Sequence, residues 1–106
     1  MILKKMDKYA VAILGCGTVG GATARLLTSD IEYLKKRTNI DFFLKYIVDV
    51  NFTHAKKLGL DSSLFTSDLD KVLSDPEIFV VVELIGGTTI ARESAKKILK
   101  AGKHLV

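Results

Sequence analysis

The sequence predicts an α/β fold, a parallel sheet with helices on both faces, and three observations predict it. Apolar runs rich in β-branched and aromatic residues (residues 9–14, 42–48 and 78–85) alternate with stretches whose apolar residues recur at helical spacing. These runs are apolar nearly throughout, the pattern of strands covered on both faces. Between the first run and the first helical stretch stand Gly15, Gly17 and Gly20, in the order strand, glycine turn, helix. Right-handed crossovers turn the β-α-β-α-β-α-β-α-β succession into a doubly wound sheet of about five strands, in spatial order 3-2-1-4-5.

Residues 1–7 form a lead-in, and residues 9–14 are strand one. Gly15-x-Gly17-x-x-Gly20 then has the spacing of a Rossmann-type dinucleotide-binding turn. Gly15 permits the tight turn off the strand. Gly17, lacking a Cβ, lets a pyrophosphate approach the backbone, and Gly20 lets the helix pack closely. The helix N-terminus, at Thr18 and Val19, offers unpaired N–H groups and partial positive charge to phosphates. Cys16, between two of the glycines, reads as a small residue tolerated in a tight loop. A reactive thiol is the alternative, since a helix N-terminus can lower a thiol pKa.

The first helix carries Val19, Ala22, Thr23, Leu26 and Leu27 as its apolar stripe. Ile31 and Leu34 extend it, Thr28-Ser29-Asp30 invites a break or a new cap, and Asn39 ends the region. Asp49 follows strand two (42–48). An acid there accepts hydrogen bonds from the adenosine ribose hydroxyls of a dinucleotide; the alternative is a turn Asp before Asn51. Its distance from Gly20 exceeds the usual ~20 residues because the first helix is long. Residues 52–58 are a short helix ended by Gly59, and residues 64–66 a brief edge strand. Ser67 resembles an N-cap with Asp70 three residues on, and Leu69, Val72 and Leu73 face inward until Asp75-Pro76. Residues 78–85, interrupted only by Glu83, read as a central buried strand. Residues 86–89 are the next strand-to-helix loop. Ala91, Ala95, Ile98, Leu99 and Gly102 form the last helical face, and residues 103–106 begin strand five.

At 106 residues the chain is one domain, residues 1–106, with one core. Its 48% hydrophobic and 26% charged content is that of a soluble globular protein. The net charge of +4 modestly favours anionic ligands. The charges are scattered as solvated faces: Lys4, Lys5 and Lys8; Lys35, Lys36 and Arg37; Lys96, Lys97, Lys100 and Lys103. That distribution argues against a nucleic-acid stripe. No apolar run reaches membrane-spanning length, and residues 1–8 lack a signal peptide's apolar region. A lone cysteine allows no intrachain disulfide. The expected setting is cytoplasmic, without a membrane or nucleic-acid partner.

Two stretches carry a family resemblance: AVAILGCGTVGGATARLL, and VVELIGGTTIARESAKKILKAGKHLV with DPEIFVV leading into it. Together with the intervening TSDLDKVLSDPE, they resemble the N-terminal NAD(P)-binding domain of homoserine dehydrogenase, over nearly all of the chain. VELIGG followed by AGKH is more specific than the glycine turn alone. The resemblance implies an enzyme that interconverts homoserine and aspartate semialdehyde with NAD(P)H, in the branch leading to threonine and methionine. It implies that Gly15, Gly17, Thr18, Val19 and Gly20 form the pyrophosphate turn. It also implies that Gly86, Gly87 and Thr88 form the loop beside the nicotinamide ribose. Glu83 matches the VE of the pattern, and either satisfies backbone N–H groups of neighbouring loops or touches ligand. Many relatives carry Arg after strand two, suited to a 2′-phosphate; Asp49-Val50-Asn51 here points to NAD over NADP.

The family continues into a lysine-bearing catalytic segment, then a substrate and dimerisation domain. The chain therefore reads as a cofactor-binding fragment, truncated as strand five begins, with no catalytic residue of its own and a parent enzyme that is a homo-oligomer. Two alternatives stand beside this reading: the cofactor domain of another NAD(P)-dependent dehydrogenase, and a non-catalytic nucleotide-sensing module.

Overall fold

Five parallel strands in the order β3-β2-β1-β4-β5 organise the chain, as the crossover argument requires. The computed structural model describes residues 8–85 and 88–106. Its elements are β1 (Lys8–Leu14), α1 (Thr18–Ser29), α2 (Ile31–Thr38), β2 (Asp41–Val48), α3 (Thr53–Lys57), a 3-10 turn (Ser62–Leu64), β3 (Phe65–Thr66), α4 (Leu69–Leu73), β4 (Ile78–Glu83), α5 (Thr88–Lys100) and β5 (His104–Leu105).

Strand β1 supplies both core layers through the alternation of its side chains. Ala10, Ala12 and Leu14 pack with Val72 of α4 and Ile98 of α5 on one face. Ile13 packs with Ala24 of α1 and Ala55 of α3 on the other. Ile13, Ile47, Ile98, Val72 and Val81 are fully buried, and each such side chain contributes about 1.5–3 kcal/mol. Along β2, Val11 stands opposite Leu44 but Ala12 opposite Tyr46, so Lys45 is skipped. That slip returns Tyr46 and Val48 to the layer of Phe43, and Ile47 to the layer of Leu44. Without it the end of β2 would present its side chains to the wrong faces.

Several local expectations are corrected. In α1 the buried residues are Gly20, Gly21 and Ala24, whereas Val19 is 62% exposed and Leu26 is also exposed. Small residues bring the helix close to its neighbours, and the bulky ones rotate outward. The break that Thr28-Ser29-Asp30 invites is made, rather than the extension through Ile31 and Leu34: Asp30 ends α1 and precedes α2. Asn39 then closes α2 in the left-handed region at φ 56°, its N–H donating to the Lys35 carbonyl. The cap of α4 is Asp68, not Ser67; its Oδ1 accepts the Lys71 N–H at 3.2 Å. In α5, Ser94 is buried beside Ile98 while Leu99 is exposed.

The run 78–85 is strand only to Glu83, and it is not covered on both faces. Phe79 is 44% exposed and packs at a tilt between Tyr9 and His104, with ring centroids 4.6 and 4.5 Å apart. Helix α1 packs over β1 and β2, whereas α5, which packs on β4 and β5, lies in the opposite layer. An apolar groove of about 540 Å³ lined by Tyr9, Leu27, Phe42, Phe79 and Val82 remains open on the α1 face, beside β4. No described helix is long and apolar enough to cross a membrane.

Candidate functional site

The carboxyl ends of β1, β2 and β4 meet where the strand order reverses, the place where open α/β sheets bind ligands. The glycine turn rises from β1 there. Gly15 adopts φ +103°, and a Cβ on it would stand 3.0 Å from the Leu84 carbonyl carbon and oxygen. A Cβ on Gly20 would strike the Gly15 carbonyl, whose carbon lies 2.7 Å from it. Both positions therefore exclude side chains for the sake of the turn itself. Gly17 differs: nothing lies within 4 Å of the Cβ it lacks, so its bare side opens on free space. Gly17 is also the N-cap of α1, which has no side-chain cap and no acid in its first turn. That end of α1 combines an open approach with uncapped N–H groups, which suits an anion such as a pyrophosphate.

Asp49 stands beside this turn at the end of β2. Its Oδ2 accepts the Cys16 N–H at 2.8 Å, and its Oδ1 accepts the N–H groups of Val50 at 2.6 Å and Asn51 at 3.4 Å. Partial burial works to raise its pKa, but the backbone donors outweigh burial and hold the carboxyl below its ordinary value. Asp49 is thus a turn acid, and it also faces the clefts described next. The Cys16 thiol is buried and donates to the Asn51 carbonyl at 3.3 Å. Burial first, and then the Asp49 carboxylate, push it up to about 12, so the helix N-terminus does not activate it. Glu83, half-buried at the end of β4, accepts the Ile85 N–H at 2.5 Å, which is the loop-satisfying role.

Two clefts share Gly17 and Asp49. One of about 460 Å³ is lined by Leu14, Val48, Leu84, Ile85, Ile90 and Ser94. The other, of about 340 Å³, is lined by Cys16, Asn51, Thr53, His54 and Lys57. Thr18 lines the groove between α1 and α3 with Arg25 and His54, and Val19 is exposed. Gly86, Gly87 and the Thr88 side chain lie outside the described residues. Sequence reasoning missed Ser94, although a polar residue on the stripe of Ala91, Ala95 and Ile98 was a visible signal. It also missed His54, which packs against α1 at Gly21, where a Cβ would meet His54 Cδ2 at 3.0 Å. Among the described residues no group of three or more His, Cys, Asp or Glu gathers to hold a metal ion.

A five-stranded doubly wound sheet with this glycine turn at its switch point defines a dinucleotide-binding domain of the Rossmann class. The sequence model of one family, homoserine dehydrogenase, NAD binding domain, matches residues 15–106, and the chain belongs to that family. Homoserine dehydrogenase of Methylobacillus glycogenes is 40% identical over 101 residues, which cover 95% of this chain and 24% of that protein. The crystal structure of a homoserine dehydrogenase from Thiobacillus denitrificans matches with a TM-score of 0.79 at 35% identity, over 93% of this chain and 23% of that one. A structure of S. aureus homoserine dehydrogenase matches with a TM-score of 0.80 at 26% identity, over 94% of this chain and 25% of that one. The chain thus spans about a quarter of the length of the curated relatives it matches.

Proposed function

We propose that this chain is the cofactor-binding part of a homoserine dehydrogenase and binds NAD(H) in preference to NADP(H). The observation that carries the reading is the open approach over Gly17 beside the uncapped start of α1, in a chain of this family. In the parent enzyme, bound NADH would give the hydride that reduces L-aspartate 4-semialdehyde to L-homoserine, and NAD+ would accept it in the reverse direction. The residues here bind and orient the cofactor. Gly17 and the first-turn N–H groups receive the pyrophosphate, and Asp49 faces the adenosine ribose. By the family resemblance alone, Gly86, Gly87 and Thr88 would contact the nicotinamide ribose. The 1–106 chain is expected to bind NADH without homoserine-dependent NAD reduction, because the family's catalytic lysine segment follows these residues. The proposed setting is the cytoplasm, and the parent enzyme a homo-oligomer formed through its other domain.

The cofactor preference rests on charge. A 2′-phosphate at the ribose would meet the Asp49 carboxylate, which makes no ion pair among the described residues. Two like charges ~4 Å apart cost on the order of 4 kcal/mol at an effective dielectric near 20. Screening and side-chain movement reduce that to roughly 1–2 kcal/mol, so NAD should bind about tenfold tighter. Lys57 lines the same cleft and is the cation placed to offset part of the repulsion. Competitive titration of the chain with NADH and NADPH, at low and physiological salt, tests the reading. Tighter NADH binding supports it; no binding of either, or tighter NADPH, contradicts it.

A further inference from the structure

A Gly-x-Gly turn is loose in itself, because glycine gives the backbone wide conformational freedom. Residues 15–17 of this chain are nevertheless anchored: the Gly17 carbonyl accepts from Gly21 of α1 at 2.7 Å, and the anchors of Gly15 and Cys16 lead to the end of β2 and the loop after it. The Gly15 N–H donates to the Val48 carbonyl at 2.7 Å. The Cys16 N–H donates to Asp49 Oδ2 at 2.8 Å, and the Cys16 thiol to the Asn51 carbonyl at 3.3 Å. Asp49 is fixed in turn: its Oδ1 accepts from Val50 at 2.6 Å, and its own N–H donates to Thr66 of β3 at 3.2 Å. The carboxylate is the one side chain joining the two loops by accepting a turn N–H, and it is aimed by its own loop.

We infer that Asp49 is a positioning residue for the glycine turn: its carboxylate holds residues 15–17 in the cofactor-ready shape before any cofactor arrives. This deepens the dinucleotide reading and rests on it, adding to the ribose contact a second role that acts through Cys16. A turn already in shape loses less freedom on binding, and affinity rises accordingly. The two roles separate cleanly. The ribose role needs the ribose hydroxyls; the positioning role works on a ligand that lacks them and on the empty protein.

The experiment compares the unmodified chain with Asp49→Ala by backbone amide exchange without cofactor, and by titration with an NADH analogue lacking both adenosine ribose hydroxyls. Expected are exchange at Cys16 at least about tenfold faster in the variant, unchanged exchange at Ile13 and Val81, and binding of the analogue weakened about fivefold. A general structural defect would move Ile13 and Val81 as well, and that pattern overturns the proposal. So does unchanged exchange at Cys16, or equal affinity for the analogue. Should Asp49→Ala fail to fold, Asp49→Leu, close in shape and without an acceptor oxygen, replaces it. Faster exchange at Cys16 alone then supports the proposal, and identical exchange overturns it. The exchange comparison needs no cofactor, so it decides the role of Asp49 even where NADH fails to bind, a failure that would strike the dinucleotide reading instead.

Discussion

Two aspartates, one near each end of the sheet, show how the same group is put to opposite uses. Asp75, just before β4, accepts from Lys45 at 2.6 Å, from the Tyr46 hydroxyl at 2.8 Å and from the Glu77 N–H at 2.9 Å. Lys103 donates to its carbonyl at 2.7 Å. Lys45 beside it, against the opposing effect of burial, lowers its pKa to about 2. Its charge is cancelled where it stands. Asp49, just after β2, is held chiefly by backbone N–H groups and makes no ion pair among the described residues. These orient a carboxylate without neutralising it, so its net charge remains at the mouth of two clefts. One carboxylate is neutralised inside an ion-pair cluster, and the other keeps its charge beside open clefts, where the proposed function would use it to select a cofactor.

Substitutions at the two ends of the sheet should differ in both size and kind of effect. Gly20→Ala places a Cβ against the Gly15 carbonyl and is expected to cost roughly 2–4 kcal/mol. A thermal melt should show a fall of roughly 10 °C or more. Asp75→Ala removes the cancelled charge together with three hydrogen-bond partners, and should cost about 1–2 kcal/mol. Because the folded pKa of Asp75 is depressed, its contribution is fully present above its unfolded value, about 3.9. It is lost as the pH falls through about 2. Denaturant melts between pH 5 and 2 should therefore be steeper in pH for the unmodified chain than for Asp75→Ala. Asp49→Ser should change stability less and selectivity more. The NADH to NADPH affinity ratio should fall about tenfold, or ~1.4 kcal/mol, and an unchanged ratio would leave Asp49 with its turn role alone.

The sequence made the upper end of this comparison legible and left the lower end hidden. The glycine spacing, the strand order and the acid after β2 are local patterns, and each stands where the reading placed it. The Asp75 group depends on the skipped residue Lys45, which alternation cannot reveal because the slip lies in the pairing of β2 with β1. The face of α1 was misjudged for a related reason. Hydrophobic periodicity favours bulk, but α1 is buried through Gly20, Gly21 and Ala24, where closeness to neighbouring backbone decides. Strand β4 read as covered because its residues are apolar, yet no helix of the described chain lies over Phe79 on the open side. Apolar composition marks a surface that wants cover without saying what supplies it. The hydrogen bonds of Asp49 to Val50 and Asn51 fit the turn reading, and the bond to Cys16 was invisible in a one-dimensional pattern.

The central claim is that a dinucleotide crosses the bare side of Gly17. Because nothing of the protein stands there, Gly17→Val should leave the melting temperature within about 3 °C, the range of ordinary surface substitutions, while blocking the ligand's approach. The direct measurement is calorimetric titration of NADH into the unmodified chain and into Gly17→Val. Affinity at least about tenfold lower in the variant is expected, a loss of ~1.4 kcal/mol or more. Equal affinity in two equally folded proteins would contradict the claim.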